Sequence, residues 1–282
     1  MLTQVTAGPY TVRGLSLGGI YTALCVPELR LLLDAGLAPR SFVGPDTMLL
    51  SHGHVDHLGS LAGLLGLRGL AAKSTPLRVM MPAEIVQPLE RSLAAMTEMQ
   101  RYDLSIDAVP MRPGEETPLR GDLHVRAFRT KHTVPSLGYQ VVRRVQKLRA
   151  EFHELPGEEI ARRRQAGEDM CHEVESVELV YATDTLIEAL DDEPSVYDAR
   201  VLIMECTFLD DKKSRADSRA GCHVHLDEIV ARADRFNNEH IVLMHFSQLY
   251  RPDDVRKLLA ARCPPSLHER IVPLLPSRNW PG

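Results

Sequence analysis

The sequence lacks the features that mark membrane and secreted proteins. It has no apolar run long enough to cross a bilayer, and its amino terminus has no basic segment followed by an apolar stretch. Its five cysteines show no paired spacing and are odd in number, which favours free thiols in a reducing compartment over a disulfide framework. Together these absences predict a cytoplasmic protein.

An excess of basic residues is also missing. The formal net charge of −5 excludes a protein that holds nucleic acid by bulk electrostatics alone, so any RNA contact must be local. The remaining composition, 44% hydrophobic and 25% charged over 282 residues, is that of a globular protein with a sizeable core. One polar stretch, at about residues 143–178, interleaves arginines with glutamates. Its simplest interpretation is a solvated helix such as 157–165, and the alternative is a cover or substrate-contacting arm over a site.

Residues that bind metals or handle protons are most concentrated in Ser51-His52-Gly53-His54-Val55-Asp56-His57-Leu58-Gly59. The apolar run before this cluster reads as a buried strand and the one after it as the start of a helix, so the cluster lies at a strand's carboxyl end. In an extended stretch alternate side chains project together, so His52 and His54 can grip one ion, and Asp56 continues the alternation. His57 leaves the turn in another direction, which predicts a second ion beside the first.

Further residues of this kind stand at the ends of other predicted strands: His132, Asp184, Glu205 and His245. Strand ends converge at one edge of a sheet, so these side chains are expected to meet the cluster. A carboxylate that reaches between two cations is what a dinuclear centre requires, and Asp184 fits that role. Glu205 is either a proton-relay partner or a buried residue paired for structure. Asp34, which closes an earlier strand, is either the orienting partner of a metal-binding histidine or a turn cap.

These residues, in their order and in the lengths between them, resemble the metallo-β-lactamase superfamily of dinuclear hydrolases. Within that superfamily the chain resembles ribonuclease Z, the transfer-RNA 3′-processing endonuclease. The evidence for this branch is a set of downstream motifs: His132-x-x-Pro135-Ser136-x-Gly138-Tyr139, Asp184-Thr185, Glu205-x-Thr207-Phe208, and a His223 motif before His245-Phe246-Ser247.

The resemblance implies one α/β (α+β) domain over residues 1–282, a four-layer αββα sandwich with the polar insert at about 143–178 and both metals at one edge of the sheets. Carried over by position, the first metal would be held by His52, His54 and His132, and the second by Asp56, His57 and His245, with Asp184 as the bridge. Nitrogen-rich ligation of this kind suits two zinc ions, although manganese or iron can occupy such a site.

The same resemblance implies a reaction. Two ions at the usual ~3.5–4 Å separation would share a hydroxide that attacks a phosphate, and Asp56 would orient that hydroxide. His223 would donate a proton to the leaving oxygen, and Glu205 would hold His223 in position. The implied substrate is RNA, in the form of precursor transfer RNA, or a small phosphodiester. The resemblance also implies a homodimer.

Several positions depart from the family pattern. Leu249 stands where the family has an arginine that contacts phosphate, and Thr183 stands where glycine is usual. Cys222 and its neighbours replace a Gly-His-Ser-Thr sequence, so His223 and His225 compete for the proton-donor role, and the spacing favours His223. The amino-terminal Phe-Leu-Gly-Thr-Gly element is absent, and the polar insert stands in place of a glycine- and proline-rich arm that grips transfer RNA. Two alternatives therefore stay open: a small-molecule hydrolase acting on a cyclic nucleotide, thioester or lactone, and a non-catalytic metal-binding protein.

Overall fold

The computed structural model describes residues 2–276, which contain fifteen strands and nine α-helices. In chain order the strands are β1 (Thr3–Ala7), β2 (Tyr10–Gly18), β3 (Tyr21–Val26), β4 (Leu31–Leu33), β5 (Thr47–Leu49), β6 (Leu77–Pro82), β7 (Ile106–Met111), β8 (Glu116–Arg120), β9 (Leu123–Arg129), β10 (Leu137–Leu148), β11 (Cys171–Ala182), β12 (Val201–Glu205), β13 (His240–Met244), β14 (Phe246–Ser247) and β15 (Ile271–Pro273). The helices are α1 (Val55–Leu58), α2 (Leu61–Leu70), α3 (Val86–Gln100), α4 (Gly157–Gln165), α5 (Glu188–Asp191), α6 (Arg215–Ala220), α7 (Leu226–Val230), α8 (Pro252–Arg262) and α9 (Pro265–His268).

The strands form two mixed sheets. The first has the order β1-β2-β3-β4-β5-β6-β7, with β14 paired to the end of β2, and the second has the order β15-β13-β12-β11-β10-β9-β8. Strands β4 to β7 are parallel neighbours, and so are β11, β12, β13 and β15. In each sheet these strands bring their carboxyl ends to one edge, which is where open α/β sheets place their sites.

Apolar side chains join the layers. Between the sheets both contribute to one core, with residues such as Leu33 from the first sheet and Val242 from the second. The outer face of the first sheet packs against α2 and α3 through residues such as Leu64, and the outer face of the second packs against α7, α8 and α9 through residues such as Leu259. This helix–sheet–sheet–helix arrangement confirms the predicted αββα sandwich. Within residues 2–276, no helix combines the length and apolar character needed to cross a membrane.

The predicted polar insert is an extension of the second sheet. Strands β10 and β11 continue as an antiparallel ribbon, paired from Tyr139 and Tyr181 to Leu148 and Cys171, and α4 lies in the connection at its tip. Helix α4 has no buried residue and holds Glu159 against two arginines three and four positions on, which agrees with the predicted solvated helix.

The ribbon points away from the histidine cluster. Its amino-terminal residue, Leu137, hydrogen-bonds to the carbonyl of Ser51 beside the cluster. The twelve residues of β10 then run along the sheet for roughly 35–40 Å, so the tip lies beyond the opposite edge. The register of β10 with β11 carries residues 143–178 away from the cluster of the same chain, which favours the solvated segment over the alternative of a cover.

Candidate metal centre and its acid pair

The turn after β5 brings His52 and His54 together as the sequence predicted. His52 forms an isolated bridge with Ser136, and α1 begins directly after the extended residue His54. Nε2 of His52 lies 3.0 Å from Nδ1 of His54, and Nε2 of His132 lies 3.1 Å from the same atom. Three imidazole nitrogens from two loops thus face one point.

Asp184 completes this first group and also joins a second. Its Oδ2 lies 3.9 Å from Nε2 of His52, while its Oδ1 lies 3.3 Å from Nε2 of His57 and 3.4 Å from Nε2 of His245. Oδ2 of Asp56 lies 3.5 Å and 3.8 Å from those two imidazole nitrogens. Within each group all ligand atoms lie within 4.8 Å of one another. One carboxylate therefore presents one oxygen to each of two sites.

The spacing of these atoms suits zinc. A tetrahedral ion with bonds of about 2.0–2.1 Å places its ligand atoms roughly 3.3 Å apart, close to the distances seen here. Nε2 of His57 and of His245 are buried, and neither makes a hydrogen bond among the described residues. Buried polar atoms of this kind normally have a partner, so two of them aimed at the same carboxylate oxygen fit a site that binds a cation.

The electrostatics point the same way. Burial, with the charge of His57, lowers the pKa of His52 to about 2 and keeps that ring neutral, as a metal ligand must be. Burial opposes ionisation of Asp184, but His245 and His57 outweigh it and hold the Asp184 pKa well below its usual range. Burial likewise lowers the pKa of His57, yet the carboxylates of Asp184 and Asp34 raise it well above its usual value. The site therefore carries ionised carboxylates that favour a positive charge at Nε2 of His57.

Two residues of these candidate groups occupy backbone conformations that non-glycine residues rarely adopt. Asp184 has φ of 45° and His245 has φ of 60°, and each follows closely on the last residue of a parallel strand. A left-handed residue turns the chain abruptly, which aims the side chain across the edge of the sheet instead of along the strand. Such strain persists only where the surroundings over-determine it, and it concentrates at functional sites.

Asp34 holds the ring of His57. Its Oδ2 lies 2.7 Å from Nδ1 of His57 and accepts hydrogen bonds from the hydroxyls of Ser51 and Tyr181, while its Oδ1 accepts the backbone N–H of Ser51. This fixes the His57 ring with Nε2 turned toward Asp184. Of the two interpretations of Asp34, the structure supports the orienting partner of a histidine.

Glu205 and His223 form a second cluster beside the first. Glu205 is fully buried at the end of β12, and its Oε2 lies 3.2 Å from Nδ1 of His223. Burial lowers the pKa of His223, but the charge of Glu205 and its hydrogen bond raise it to about 9. The ring of His223 lies 5.4 Å from that of His245, centroid to centroid, so its Nε2 is left for the metal side of the site.

His225 has a different task. It is buried at the start of α7, where its Nδ1 accepts the backbone N–H of Asp227 and its Nε2 lies 3.3 Å from the carbonyl of Asp210. Nδ1 caps the helix and Nε2 contacts a backbone carbonyl outside it, and none of the candidate metal-binding groups includes this residue. The structure thus separates the two histidines that the sequence left in competition.

The sequence indicated the residues of the two candidate metal-binding groups better than the residues that hydrogen-bond to them. It assigned no role to Ser51, Tyr181 or the hydroxyl of Thr207. Tyr181 carried one usable signal, because a tyrosine inside an apolar strand needs a buried partner for its hydroxyl. That partner, Asp34, lies 147 residues away in the other sheet, and no local pattern connects them.

Comparisons with known proteins agree with this geometry. A family profile described as a beta-lactamase superfamily domain matches residues 25–246. The chain is 34% identical to tRNase Z TRZ1 of Arabidopsis thaliana over 94% of this chain and 95% of that protein. It is 38% identical to a nuclear ribonuclease Z of Triticum aestivum over 58% of this chain and 93% of that protein. Among solved structures, the short form of human tRNase Z matches with a TM-score of 0.54 at 18% identity, over 88% of this chain and 93% of that one.

The fold and the two-sided carboxylate site define a metallo-hydrolase of the β-lactamase superfamily. Relatives named tRNase Z match over 94% of this chain at 30–34% identity, so the chain belongs to the ribonuclease Z family. The predicted superfamily, branch and enzyme class are confirmed, and the comparisons do not favour the small-molecule or the non-catalytic alternative.

Proposed function

We propose that this protein is an endoribonuclease that processes the 3′ end of precursor transfer RNA. The observation that carries the proposal is the Glu205–His223 pair, which places a proton donor beside a two-sided metal site. Relatives named tRNase Z, similar along nearly the whole chain, supply the substrate class.

The metal assignment follows the two groups of ligands. His52, His54 and His132 would hold the first ion, Asp56, His57 and His245 would hold the second, and Asp184 would contribute an oxygen to each. The five imidazoles favour zinc. Two divalent ions held there would supply Lewis-acid chemistry, because they would lower the pKa of a water molecule and neutralise phosphate charge. Asp56, which is partly exposed, turns its carboxylate toward the same space and would orient that water.

His223 serves the leaving group. Its Nδ1 is held by Glu205, so the proton on Nε2 faces the site and can pass to the departing ribose oxygen. Glu205 is a positioning residue in this scheme: it keeps His223 protonated and fixes the direction of its ring. A buried carboxylate beside an imidazole does both because each partner favours the charged form of the other.

The test uses the zinc-loaded protein on two substrates. We expect it to remove the 3′ trailer from a precursor transfer RNA and to cleave bis(p-nitrophenyl) phosphate, with both activities lost on chelation and regained with Zn²⁺. Protein that holds two metals per chain and leaves both substrates uncut would refute the proposal. Cleavage of thioesters or lactones without phosphodiester cleavage would assign it to another hydrolase class.

Three further assignments accompany the proposal. The chain forms one domain over residues 1–282, supported by the cores that both sheets share. It acts as a homodimer, which follows from the family resemblance and is checked by light scattering of the eluted protein. It works in the cytoplasm, supported by five free cysteines that suit a reducing compartment. Fluorescent tagging in the source cell checks the compartment.

A further inference from the structure

Thr207 lies between the metal centre and the acid pair. It follows Glu205 by two residues, where the chain leaves β12, and it is buried. Its Oγ1 is 3.0 Å from Nδ1 of the metal-facing residue His245 and 2.5 Å from Oε2 of Glu205. One hydroxyl therefore contacts both halves of the site.

The direction of these hydrogen bonds follows from the chemistry of each group. Nε2 of His245 faces the carboxylates of Asp184 and Asp56, so the proton of a neutral, metal-binding ring resides on Nδ1. That N–H donates to Oγ1 of Thr207. The threonine hydroxyl has a single proton, which it donates to the acceptor-only carboxylate of Glu205. The hydrogen bonds therefore run in one direction, with His245 donating to Thr207 and Thr207 donating to Glu205.

Glu205 extends this chain to the rest of the site. Its Oε1 accepts the backbone N–H of Thr185, the residue after the bridging Asp184, at 2.7 Å. Its Oε2 accepts the backbone N–H of Val224, the residue after His223, at 3.2 Å. The same carboxylate holds the His223 ring. A change at Thr207 is therefore transmitted through Glu205 to the proton donor.

We propose that Thr207 is a positioning residue that couples the orientation of the metal ligand His245 to that of the proton donor His223. The proton-donor half of this statement rests on the proposed function, whereas the metal-ligand half does not. Removing the hydroxyl leaves Nδ1 of His245 without an acceptor and Glu205 with one donor fewer. The rings of His245 and His223 should then both be held less firmly in their orientations.

The backbone and the methyl group of Thr207 make contacts of their own, so a substitution can remove the hydroxyl alone. Its backbone N–H bonds to the carbonyl of Val224, and its carbonyl accepts the N–H of Ser247. Its methyl Cγ2 lies 3.4 Å from where a Cβ on Gly18 would stand. Thr207→Val keeps the methyl and the shape while removing the hydroxyl. Thr207→Ser is the matched control, because it keeps the hydroxyl and removes the methyl.

The first measurement is metal affinity, by competition of the full chain against a zinc chelator. We expect Thr207→Val to bind one of its two zinc ions about 10- to 100-fold more weakly, the usual effect of losing a partner behind a metal-binding histidine. Thr207→Ser should keep both affinities close to the original protein. Circular dichroism of the three metal-free proteins shows whether each folds.

The second measurement detects the coupling and does not depend on turnover. Histidine-ring NMR of the zinc-saturated proteins reports the Nδ1–H of His223, which Thr207 does not touch directly. We expect that signal to shift or broaden in Thr207→Val and to remain unchanged in Thr207→Ser. In the cleavage assay, Thr207→Val at saturating zinc should lose more activity on a diester with a poor leaving group than on bis(p-nitrophenyl) phosphate.

Two results would overturn the inference. One is a Thr207→Val protein with both zinc affinities and the His223 signal unchanged. The other is a folded Thr207→Ser protein that fails as Thr207→Val does, since the methyl would then be responsible. An original protein that cleaves no phosphodiester would refute the proposed function, while zinc affinity and the His223 signal would still decide the role of Thr207.

Discussion

Nδ1 of His223 lies 3.2 Å from Oε2 of Glu205, and the carboxylate is fully buried while the imidazole is 22% exposed. Glu205 is thus buried at the end of a strand of the second sheet, while the ring of His223 is partly exposed toward the site. A carboxylate buried behind an imidazole fixes which nitrogen carries the outward proton, which is the arrangement that general acid catalysis needs.

His223→Ala should retain both metals and lose turnover. A missing general acid costs about 10²- to 10⁴-fold for a substrate whose leaving oxygen needs a proton. The loss should be much smaller for bis(p-nitrophenyl) phosphate, whose leaving group departs without one. Metal content and turnover on both substrates check this, and equal losses on the two would make His223 a structural residue.

His225→Ala is the matched control for that variant. It removes the cap of α7, so the free energy of unfolding should fall by about 0.5–2 kcal/mol, as for other helix caps. Turnover should stay within a few-fold of the original protein, because both ring nitrogens contact backbone groups. Chemical denaturation and the cleavage assay measure the two effects.

The metal-free protein should show a raised pKa at His223. Burial opposes protonation, but Glu205 raises the pKa to about 9, above the usual value of about 6.5. Because the folded-state pKa is the higher one, this pair stabilises the fold fully below about pH 6.5, and the contribution disappears as pH rises through about 9. Histidine NMR titration measures the pKa, and Glu205→Gln should bring it down. A pKa that does not change in that variant would mean that Glu205 is not its cause.

Asp34→Asn should weaken metal binding without touching a ligand. Asparagine tolerates the positive φ of 57° at this position, but its amide NH₂ cannot accept from His57, Ser51 or Tyr181 as the carboxylate does. We expect about 10- to 100-fold weaker zinc binding by chelator competition. Tyr181→Phe removes one donor only and should cost less. If Tyr181→Phe costs as much, packing between the sheets is responsible.

Removal of the metals should lower thermal stability. Buried carboxylates and imidazoles face one another across the site, and folding brings them close enough to bind the ions that would neutralise them. For metal at about 100–1,000 times its dissociation constant, roughly 3–4 kcal/mol of stabilisation would be lost, or roughly 5–15 °C in melting temperature. Calorimetry with and without chelator measures the shift. Full recovery with Zn²⁺ but not Mg²⁺ would match the nitrogen-rich ligands, and equal recovery with Mg²⁺ would contradict them.

Leu249→Arg should strengthen the contact with an RNA substrate. Leu249 is 52% exposed shortly after His245, at the position where the family resemblance leads us to expect an arginine. An arginine there adds one charge that can meet a phosphate, so the plot of log KM against log salt should become steeper by about 1. Leu249→Ala, which adds no charge, should leave the salt dependence unchanged. The same salt dependence of KM in both variants would mean that the side chain at position 249 does not contact the RNA.

Much of the site was predictable because its information is local. His52, His54 and His57 lie within one short segment. Their spacing predicts that His52 and His54 project together and that His57 projects in another direction, toward a second ion. His132, Asp184, Glu205 and His245 each follow or close a strand, and the rule that strand ends meet at one edge brings them together without any knowledge of the sheet order. The αββα architecture needed more than this, since it came from resemblance and not from periodicity.

Only the tertiary structure shows the contacts between residues that belong to different segments of the chain. His223 and His225 are two residues apart and chemically identical, and only the packing of α7 shows that one caps a helix while the other meets Glu205. For residues 143–178 the sequence favoured a solvated helix and left a cover over the site as the alternative, and only the pairing of β10 with β11 shows the direction in which the segment runs. By itself the sequence determined which residues can bind metal and at which strand ends they lie, because those properties belong to single residues and short segments. The folded chain determined which atoms support them, because Asp34, Tyr181 and Thr207 act across contacts that no segment contains.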